Sequence, residues 1–572
     1  MKNNFNHLFI TRLLAVILGQ LALSSASYAV FLDANGHYGI RAETRTAPSM
    51  SRSSGLYQAI DQSFRLEGEV RLNDQSSMFL EFRLFDDPRQ AYLGDTPQPE
   101  SCPAKRDEDD NSCYGRHQDT SHPGYAPLAP KVTKAYMRYA FDYCIVEAGR
   151  RGRDWGLGIL LDSGNDPFDT SMSVFDGISC DINMQKAQNL SFSFGFDKLS
   201  ETGTFPYDPF TNPTAPQAGS KEKTQEDNYR DDLNNPRTFG ATQKADDHDQ
   251  YFFTLEYDSS KTKAPTDLNY KVGMYFANIL SSSDGDIGSA TDLKFFDVYY
   301  GLSLPSFSFK QELIYQGGKS SDPNFARLGG VIDYYSPYRN EIQAFMTAGV
   351  LEWTMSKSGS SVGPEEYKQG DANRHLLFLD YAIAPGSSRG YFSAVDAAGN
   401  TIAESNTDVN ELARGNDSNK GAKISAAAFH QNYKPALIFF NGRPQSDHLR
   451  VDGIFDPTRL MNVSLFGLGY RYEDLASGNF EVKLITGRLS EGMPSAVRNY
   501  YLSQPLSYPR PVGFYGKDLG YELDLKYWRT INRQIDLGIA GGYALPGDAW
   551  QTLEGETPKG NFLAQSYISV RF

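Results

Sequence analysis

The chain has 572 residues, with 55 Lys and Arg against 70 Asp and Glu, and its formal net charge is −15. This acidic balance argues against a nucleic-acid-binding protein, because such proteins need a basic surface. Beyond the N-terminal segment no apolar run approaches the roughly 18 residues of a membrane-spanning helix, and the mean hydropathy is negative. A bundle of transmembrane helices is therefore excluded.

The N-terminal segment 1–29 has the pattern of a secretory signal peptide. Lys2 and Arg12 provide positive charge, an apolar stretch covers 13–23, and Ser27-Tyr28-Ala29 offers small residues at the cleavage positions. The alternative is an uncleaved membrane helix, but the apolar stretch is well short of the roughly 20 residues that a span requires. We predict export, cleavage of this segment and a mature chain of 30–572.

A two-residue alternation of apolar and polar side chains recurs along the mature chain. In the segment 190–197, for example, Leu190, Phe192, Phe194 and Phe196 share one face, and small or polar residues occupy the positions between them. This period is typical of β-strands and fits no helix. The pattern predicts strands at 36–48, 57–73, 77–86, 131–142, 143–150, 176–185, 189–198, 249–258, 267–279, 291–303, 306–316, 326–335, 340–352, 459–473, 479–489, 520–531, 533–545 and 561–572.

The predicted connections alternate between short and long. Those after the second, fourth and sixth strands are tight turns, and those after the third, fifth and seventh are long polar loops. Transmembrane β-barrels have this asymmetry, with short turns on one side of the membrane and long loops on the other. The turns are 73–76, 142–143 and 185–188, and the long loops are roughly 87–130, 151–175 and 199–248.

Four cysteines lie in the exported chain. Export exposes them to an oxidising compartment, and we predict a disulfide between Cys102 and Cys113, which bracket a short polar stretch. On the chain-entropy model such a bridge stabilises by a few kcal/mol. Cys144 and Cys180 fall in strand-like segments that should be neighbours, and a cross-strand bridge and two buried thiols both remain open.

The region 353–457 interrupts the regular pattern. It is too long for an unstructured loop, and it contains apolar pieces at 376–379 and 436–440. We interpret it as an ordered extracellular lid or a plug inserted into the barrel. One more hairpin of the wall is the alternative.

The last predicted strand, 561–572, has the strictest alternation and ends on Phe572. Phe562, Ile568 and Val570 share a face with Phe572, and the positions between them form a more polar face. A strand of about ten residues with one apolar and one wet face is what a transmembrane β-strand needs.

Aromatic residues are abundant, with 35 Tyr and 36 Phe but only 4 Trp. Transmembrane barrels place such rings in girdles at both membrane interfaces, where an apolar ring with a polar tip suits the boundary. A soluble array of β-sandwiches is the alternative that this composition leaves.

The signal peptide, the alternating strands, the sorted loops and the terminal Ser569-Val-Arg-Phe572 together resemble a Gram-negative outer-membrane β-barrel of the porin type. The resemblance implies an all-β fold, a transmembrane antiparallel barrel of about eighteen strands, with sixteen as the second choice because bacterial barrels use even numbers. It also implies that the outer-membrane assembly machinery recognises the C-terminal strand through Ile568, Val570 and Phe572. Outer-membrane lipid and lipopolysaccharide would surround the wall, and the oligomeric state stays open.

The segment 147–158 is similar to the strand-to-loop stretch of porin-like and alginate-export-like barrels. The similarity implies a loop folded into the lumen. Basic and acidic groups that face each other across a narrow lumen favour polar solutes, whereas a solvated cluster on an outer loop is the alternative. The candidate constriction residues are Arg150, Arg151, Arg153, Asp154, Asp162, Asp166 and Asp169.

Signs of catalysis or metal binding are weak. A formal G-x-S-x-G covers 359–363 but lacks the strand-turn-helix context of a nucleophile elbow, and His430 is a candidate base without a defined partner. The acidic stretches 107–110 and 284–286 lack the ligand spacing of a calcium loop. We predict no enzyme activity, no cofactor and no bound metal.

The combined features favour an outer-membrane pore for the passive diffusion of small hydrophilic solutes. The competing function is a non-conducting barrel whose extracellular loops bind surface polymers, cells or a partner protein. The two differ in whether the lumen is open.

Overall fold

The computed structural model shows one closed antiparallel β-barrel. Its sheet contains 19 strands, of which 18 form the wall. The remaining strand, β14, has only two residues and pairs in parallel with residues 341–342 of β12. β1 pairs with both β2 and β19, which closes the ring. The structure describes residues 31–46, 56–84, 131–169, 172–183, 189–198, 249–261, 268–281, 291–320, 340–358, 373–386, 423–425, 427–430, 432–441, 460–474, 477–492, 516–551, 555 and 557–572.

The strand bounds follow the two-residue periodicity of the sequence. The first nine are β1 (Phe31–Thr46), β2 (Leu56–Arg71), β3 (Ser76–Leu84), β4 (Lys131–Ala140), β5 (Ile145–Gly152), β6 (Val174–Asn183), β7 (Leu190–Lys198), β8 (Asp249–Asp258) and β9 (Asn269–Ser281). The others are β10 (Thr291–Leu304), β11 (Phe307–Ser320), β12 (Asn340–Ser358), β13 (Asn373–Ala384), β14 (Lys423–Ile424), β15 (Val463–Glu473), β16 (Asn479–Leu489), β17 (Asp518–Ile531), β18 (Ile535–Pro546) and β19 (Asn561–Arg571).

The predicted antiparallel barrel of about eighteen strands is confirmed, but the sequence did not predict the wall strand β13. β13 is a wall strand between β12 and β15, although it falls in the region 353–457, for which the sequence predicts a lid or plug. The predicted strand 326–335 lies outside the described residues. β11 pairs directly with β12 along its whole length.

The barrel has a short-loop rim and a long-loop rim. β1 begins and β19 ends at the short-loop rim, where connections such as 72–75, 141–144 and 532–534 lie. In the last of these, Asn532 and Arg533 both have positive φ, of 52° and 59°, as in the tight turns that suit twisted hairpins. The predicted sorting of connections after β2 to β7 is confirmed by the strand bounds.

The two faces of the wall differ in chemistry. On β2, Ile60 and Leu66 point outward and are exposed, whereas Asp61 faces inward and is buried. The outward face of the C-terminal strand likewise carries exposed Phe562 and Ile568. Alternation therefore places apolar side chains outside and most charged ones in the lumen.

Candidate functional site

Residues 153–169, here called the first inward segment, cross the lumen. Arg83 Nη2 on β3 donates to Gly164 O at 2.5 Å, and Arg65 Nη1 on β2 donates to Asn165 O at 3.0 Å. Glu312 on β11, on the far side of the ring, accepts a hydrogen bond from the Leu157 amide. The segment is therefore attached to nearly opposite parts of the wall.

Aromatic side chains of this segment rest on glycines of the wall. The nearest atom of the Phe168 ring lies only 2.9 Å from the position that a Cβ at residue 39 would occupy. The centre of the same ring lies 4.9 Å from the Arg41 guanidinium. Trp155 lies 2.9 Å from the corresponding position of Gly273. Any larger residue at either glycine would push the segment away from the wall.

Residues 427–430 and 432–441, here called the second inward segment, line another part of the lumen. Ile438 and Phe439 donate their amides to Glu522 at 2.6 and 2.8 Å, and Leu437 donates its amide to Asp524 at 3.2 Å. Both carboxylates belong to β17 and are buried. Three consecutive amides of the segment are thus held by the wall.

Cations of the wall bind carbonyl groups of the second inward segment. Lys483 Nζ donates to Pro435 O at 2.5 Å, and Arg45 Nη1 donates to Asn441 O at 2.9 Å. Lys483 is also paired with Asp380 on β13. The main chain of this segment therefore meets acceptors and donors on several strands, which satisfies backbone groups that would be costly to bury alone.

The two inward segments contact each other. The His430 amide donates to Ile159 O at 2.8 Å, and Asn432 Nδ2 donates to Asp162 Oδ1 at 3.1 Å. Ile159 also belongs to a buried apolar cluster with Phe429. This lumen cluster consists of Ile159, Ile314, Ala344, Met346, Ala348, Ala382, Ala384, Ala427, Phe429, Ala436, Phe439, Phe440, Leu460, Val463, Leu465, Ile485, Leu489, Leu519, Ala544, Ala549 and Trp550.

The structure does not bring the three predicted basic constriction residues together as one group. Arg151 and Arg153 face inward, but both are paired with the buried Asp197 on β7, at 3.0 and 2.7 Å. Arg150 lies on the outward face and pairs with Asp176 at 2.7 Å. Neighbouring positions of a strand point to opposite faces, and this separates Arg150 from the other two.

The predicted acidic constriction residues lie together in the first inward segment. Asp154 accepts hydrogen bonds from the amide and hydroxyl groups of Ser163, both at 2.6 Å. Asp166 and Asp169 are linked by the Asp166 amide, which donates to Asp169 Oδ2 at 2.8 Å. Burial and the nearby carboxylates of Asp166 and Asp162 raise the pKa of Asp169 to about 8.

Sequence reasoning missed the basic residues that lie beside these acids. Arg41, Arg65 and Arg83 project inward from three neighbouring strands, β1 to β3, against the tip of the first inward segment. Each of them is an even number of residues away from other inward-facing side chains of its own strand, so the alternation gives its inward direction. What they contact could not be deduced, because the contact depends on a loop from β5.

The lumen near the short-loop rim carries ion pairs on many strands. Each pairs an inward-facing base with an inward-facing acid of the same or a nearby strand. The pairs include Arg71–Glu69, Arg138–Glu147, Lys271–Glu256, Arg374–Glu473, Arg471–Glu481, Lys526–Glu481 and Arg571–Asp536. At this level the described positive and negative groups lie side by side.

The cysteines and the C-terminal strand occupy the wall. Cys144 and Cys180 form a disulfide between the start of β5 and β6, with Cα atoms 5.7 Å apart, which realises one of the two states left open by the sequence. Cys102 and Cys113 lie outside the described residues. Phe572 is exposed and packs 6.3 Å from Phe64, between ring centroids.

Other sequence-based expectations concern parts of the chain beyond the described ranges. The signal peptide 1–29, the serine motif 359–363 and the acidic stretches 107–110 and 284–286 all lie outside them. His430 is in the second inward segment, where its Nδ1 accepts the Asn432 amide at 3.3 Å. In the ranges that the structure covers, no group of three or more His, Cys, Asp or Glu is placed to hold a metal ion.

Within those same ranges, no helix has the length and apolar character needed to cross a membrane. No family model matches the sequence, and no curated protein sequence matches it.

Several solved structures match this chain at low similarity. The crystal structure of the outer membrane protein opdK from Pseudomonas aeruginosa is 9% identical and has a TM-score of 0.41, covering 94% of this chain and 99% of that chain. OccK9 (OpdG) from the same organism is 12% identical, with a TM-score of 0.43 and coverage of 94% and 98%. Acinetobacter baumannii OccAB4 is 9% identical, with a TM-score of 0.40 and coverage of 94% and 98%. At these values no residue role or activity transfers to this chain.

Proposed function

We propose that the protein is an outer-membrane pore through which small hydrophilic solutes diffuse. The observation that carries the proposal is the two-faced closed wall, which is apolar and exposed outside but charged inside. In a closed antiparallel barrel the main-chain groups at both edges of every strand are hydrogen-bonded to a neighbouring strand, which is what a β-structure in lipid requires. Its charged inner face would be unfavourable in a dry core unless paired or hydrated.

The outward face supports placement in a membrane of this type. Exposed apolar side chains such as Phe345, Leu351, Leu468 and Ile539 would lie against lipid. In a Gram-negative cell the short-loop rim would face the periplasm and the long-loop rim the exterior. Export by the signal peptide 1–29, recognition by the assembly machinery and contact with lipopolysaccharide belong to this proposal, and the Cys102–Cys113 disulfide remains a prediction.

Selectivity would arise where the first inward segment crosses the lumen. The carboxylates of Asp162, Asp166 and Asp169 belong to the segment whose carbonyls bind the wall arginines Arg65 and Arg83, and Arg83 interacts with the charge of Asp169. Adjacent charges of opposite sign hold water and favour polar solutes over apolar ones. Size restriction would come from the two inward segments, which occupy the lumen at this level.

The direct test is single-channel current through the purified full chain in planar lipid bilayers. A pore gives discrete steps, and a folded barrel without steps overturns the proposal. Ion selectivity then tests the site: Asp166→Asn removes a lumen charge and should lower the preference for cations. Asp176→Asn removes a charge from the outward face and should leave selectivity unchanged.

One observation favours the alternative function of a non-conducting interaction barrel. The apolar cluster that joins both inward segments to the wall is a packed core inside the barrel, and packed apolar cores exclude water. If this core extends across the whole lumen, the long loops rather than the lumen carry the function. Absence of current together with binding of surface polymers would support that alternative.

A further inference from the structure

We infer that Glu522 is a positioning residue that clamps the second inward segment against the wall. Glu522 is fully buried, and its two oxygens have separate partners: Oε1 accepts the Ile438 amide and Oε2 accepts the Phe439 amide. Consecutive main-chain amides that converge on one anion form a recognised anion-binding arrangement. Here the anion is a side chain of the wall itself.

The local conformation of the segment presents these amides to the wall. Phe440 has a positive φ of 57°, so the chain reverses direction immediately after Phe439. Lys434 Nζ donates to Phe440 O at 3.0 Å and Asn441 Nδ2 donates to Leu437 O at 3.0 Å, which closes the turn. These bonds close the turn, and the amides of Ile438 and Phe439 are directed at Glu522 on β17.

Glu312 holds the first inward segment in a different way. The Leu157 amide bonds to Oε2 of Glu312 and the Ile159 amide also faces this carboxylate, while Oε1 is not the acceptor of the Leu157 bond and the carboxylate lies beside Asp297. A glutamine at this position can keep its carbonyl oxygen on Leu157 and direct its amide toward Asp297. A glutamine at position 522 cannot replace the glutamate, because its NH₂ group would face one of the two donors.

The same substitution should therefore have opposite outcomes at the two positions. In Glu522→Gln one main-chain amide of the second inward segment is left buried without an acceptor. In Glu312→Gln the side-chain carbonyl oxygen can still accept the Leu157 amide. This pair of variants is matched in chemistry, in burial and in location on the inner wall.

The clamp has a consequence for conduction that rests on the proposed pore. The second inward segment occupies lumen volume between β13 and β1, so its release should change the size of the aperture. Glu522→Gln should raise single-channel conductance or add current fluctuations, whereas Glu312→Gln should conduct like the wild type.

Hydrogen exchange measured by mass spectrometry on the full chain in detergent tests the clamp without requiring conduction. Protection of peptides covering 436–440 should fall about tenfold or more in Glu522→Gln, as expected for the loss of a hydrogen bond to a charged group. Glu522→Asp keeps both acceptor oxygens on a shorter side chain and should restore part of the protection. If Glu522→Gln does not fold, as judged by heat-modifiable migration on gels, the aspartate variant decides the question in its place.

The outcomes separate the clamp from the pore. Unchanged protection in Glu522→Gln, or in Glu522→Asp where only that variant folds, overturns the clamp. Lost protection with unchanged conductance overturns its role in setting the aperture. A wild type that carries no current overturns the proposed pore, while lost protection in Glu522→Gln still supports the clamp.

Discussion

The inner wall of the barrel has two sides that hold their inward segments by different means. On β1 to β7 the buried inward positions are rich in charge, as in Arg45, Glu81, Arg151 and Asp197. On β12 to β18 many of them are apolar and small, including Ala344, Ala348, Ala382, Ala384 and Ala544. The side β1 to β7 binds main-chain groups and pairs its own ions, whereas the side β12 to β18 combines main-chain bonds from Glu522, Asp524 and Lys483 with an apolar surface that aromatic residues cover.

The difference shows that a segment inside a barrel can be held either by paired charges or by apolar packing. Buried charges require partners, and Arg83 and Glu81 have them in Gly164 O, Thr133 and Lys134. Apolar inner positions gain from contact area, and small side chains let the covering segment approach closely. Predictions for the two sides therefore differ in mechanism, one through ionic pairing and the other through packing.

The largest effect should come from the ionic side. Asp197 is fully buried between Arg151 and Arg153, so Asp197→Asn leaves two buried guanidinium groups without a carboxylate. Breaking a buried ion pair by removing one partner costs about 3–5 kcal/mol. Urea or guanidinium titration of the folded protein in detergent should show this loss in the free energy of unfolding.

Asp176→Asn is the matched control for this prediction. Asp176 also pairs with an arginine of β5, Arg150, but the two side chains are 42% and 39% exposed. Exposed pairs contribute about 0–1 kcal/mol. Equal losses in the two variants would show that burial of the pair is not what stabilises the charged side.

The packing side should show the next largest effect. Trp550 is 2% exposed, stacks on Phe439 with centroids 5.9 Å apart, and donates from Nε1 to Leu519 O at 3.0 Å. Trp550→Ala should lower the free energy of unfolding by about 3 kcal/mol, near the lower end for large core truncations. The same titration measures it, and exchange at 436–440 should increase.

Trp353→Ala provides the comparison for this packing prediction. Trp353 is 55% exposed on the outward face of β12, and it has no covering segment among the described residues. Its truncation should cost less than that of Trp550 and leave exchange at 436–440 unchanged. A greater loss in Trp353→Ala would contradict the view that the lumen cluster stabilises this side.

The fold was largely predictable because strands with one polar and one apolar face have a clear two-residue period in the sequence. The strand that the sequence did not predict, β13, has apolar residues on both faces: Leu376, Phe378 and Ala382 are buried inward, where Ala382 belongs to the lumen cluster, and Leu377 and Leu379 point outward. Alternation disappears where the inner wall is covered. A strand with two apolar faces is therefore a sequence signal for a filled lumen.

The candidate site was less predictable, for a reason of geometry. Asp162, Asp166 and Asp169 lie within one loop, and their proximity follows from the sequence. The partners of that loop, such as Arg65, Glu312 and Asn432, come from elements far away in the chain. Their positions depend on ring closure and on how two long connections fold inward, which local periodicity does not encode.

The smallest expected effect is the pH dependence of ion selectivity that Asp169, in the first inward segment, should cause. The pKa of Asp169 is about 8, because burial and the carboxylates of Asp166 and Asp162 disfavour its charged form. Raising the pH from about 6 to about 9 should add one negative charge to the lumen. Reversal potentials should therefore shift toward cation preference with a midpoint near pH 8, and Asp169→Asn should remove the shift.

Asp169 should also make the free energy of unfolding depend on pH. Its folded-state pKa lies above the unfolded value of 3.8, so between about pH 4 and 8 the folded protein binds more protons than the unfolded chain. The free energy of unfolding should fall as pH rises through this window, and Asp169→Asn should make that slope shallower. A slope that is unaffected by the substitution would mean that the acidic tip is hydrated rather than buried. The charged side of the lumen would then be wetter than the packed side.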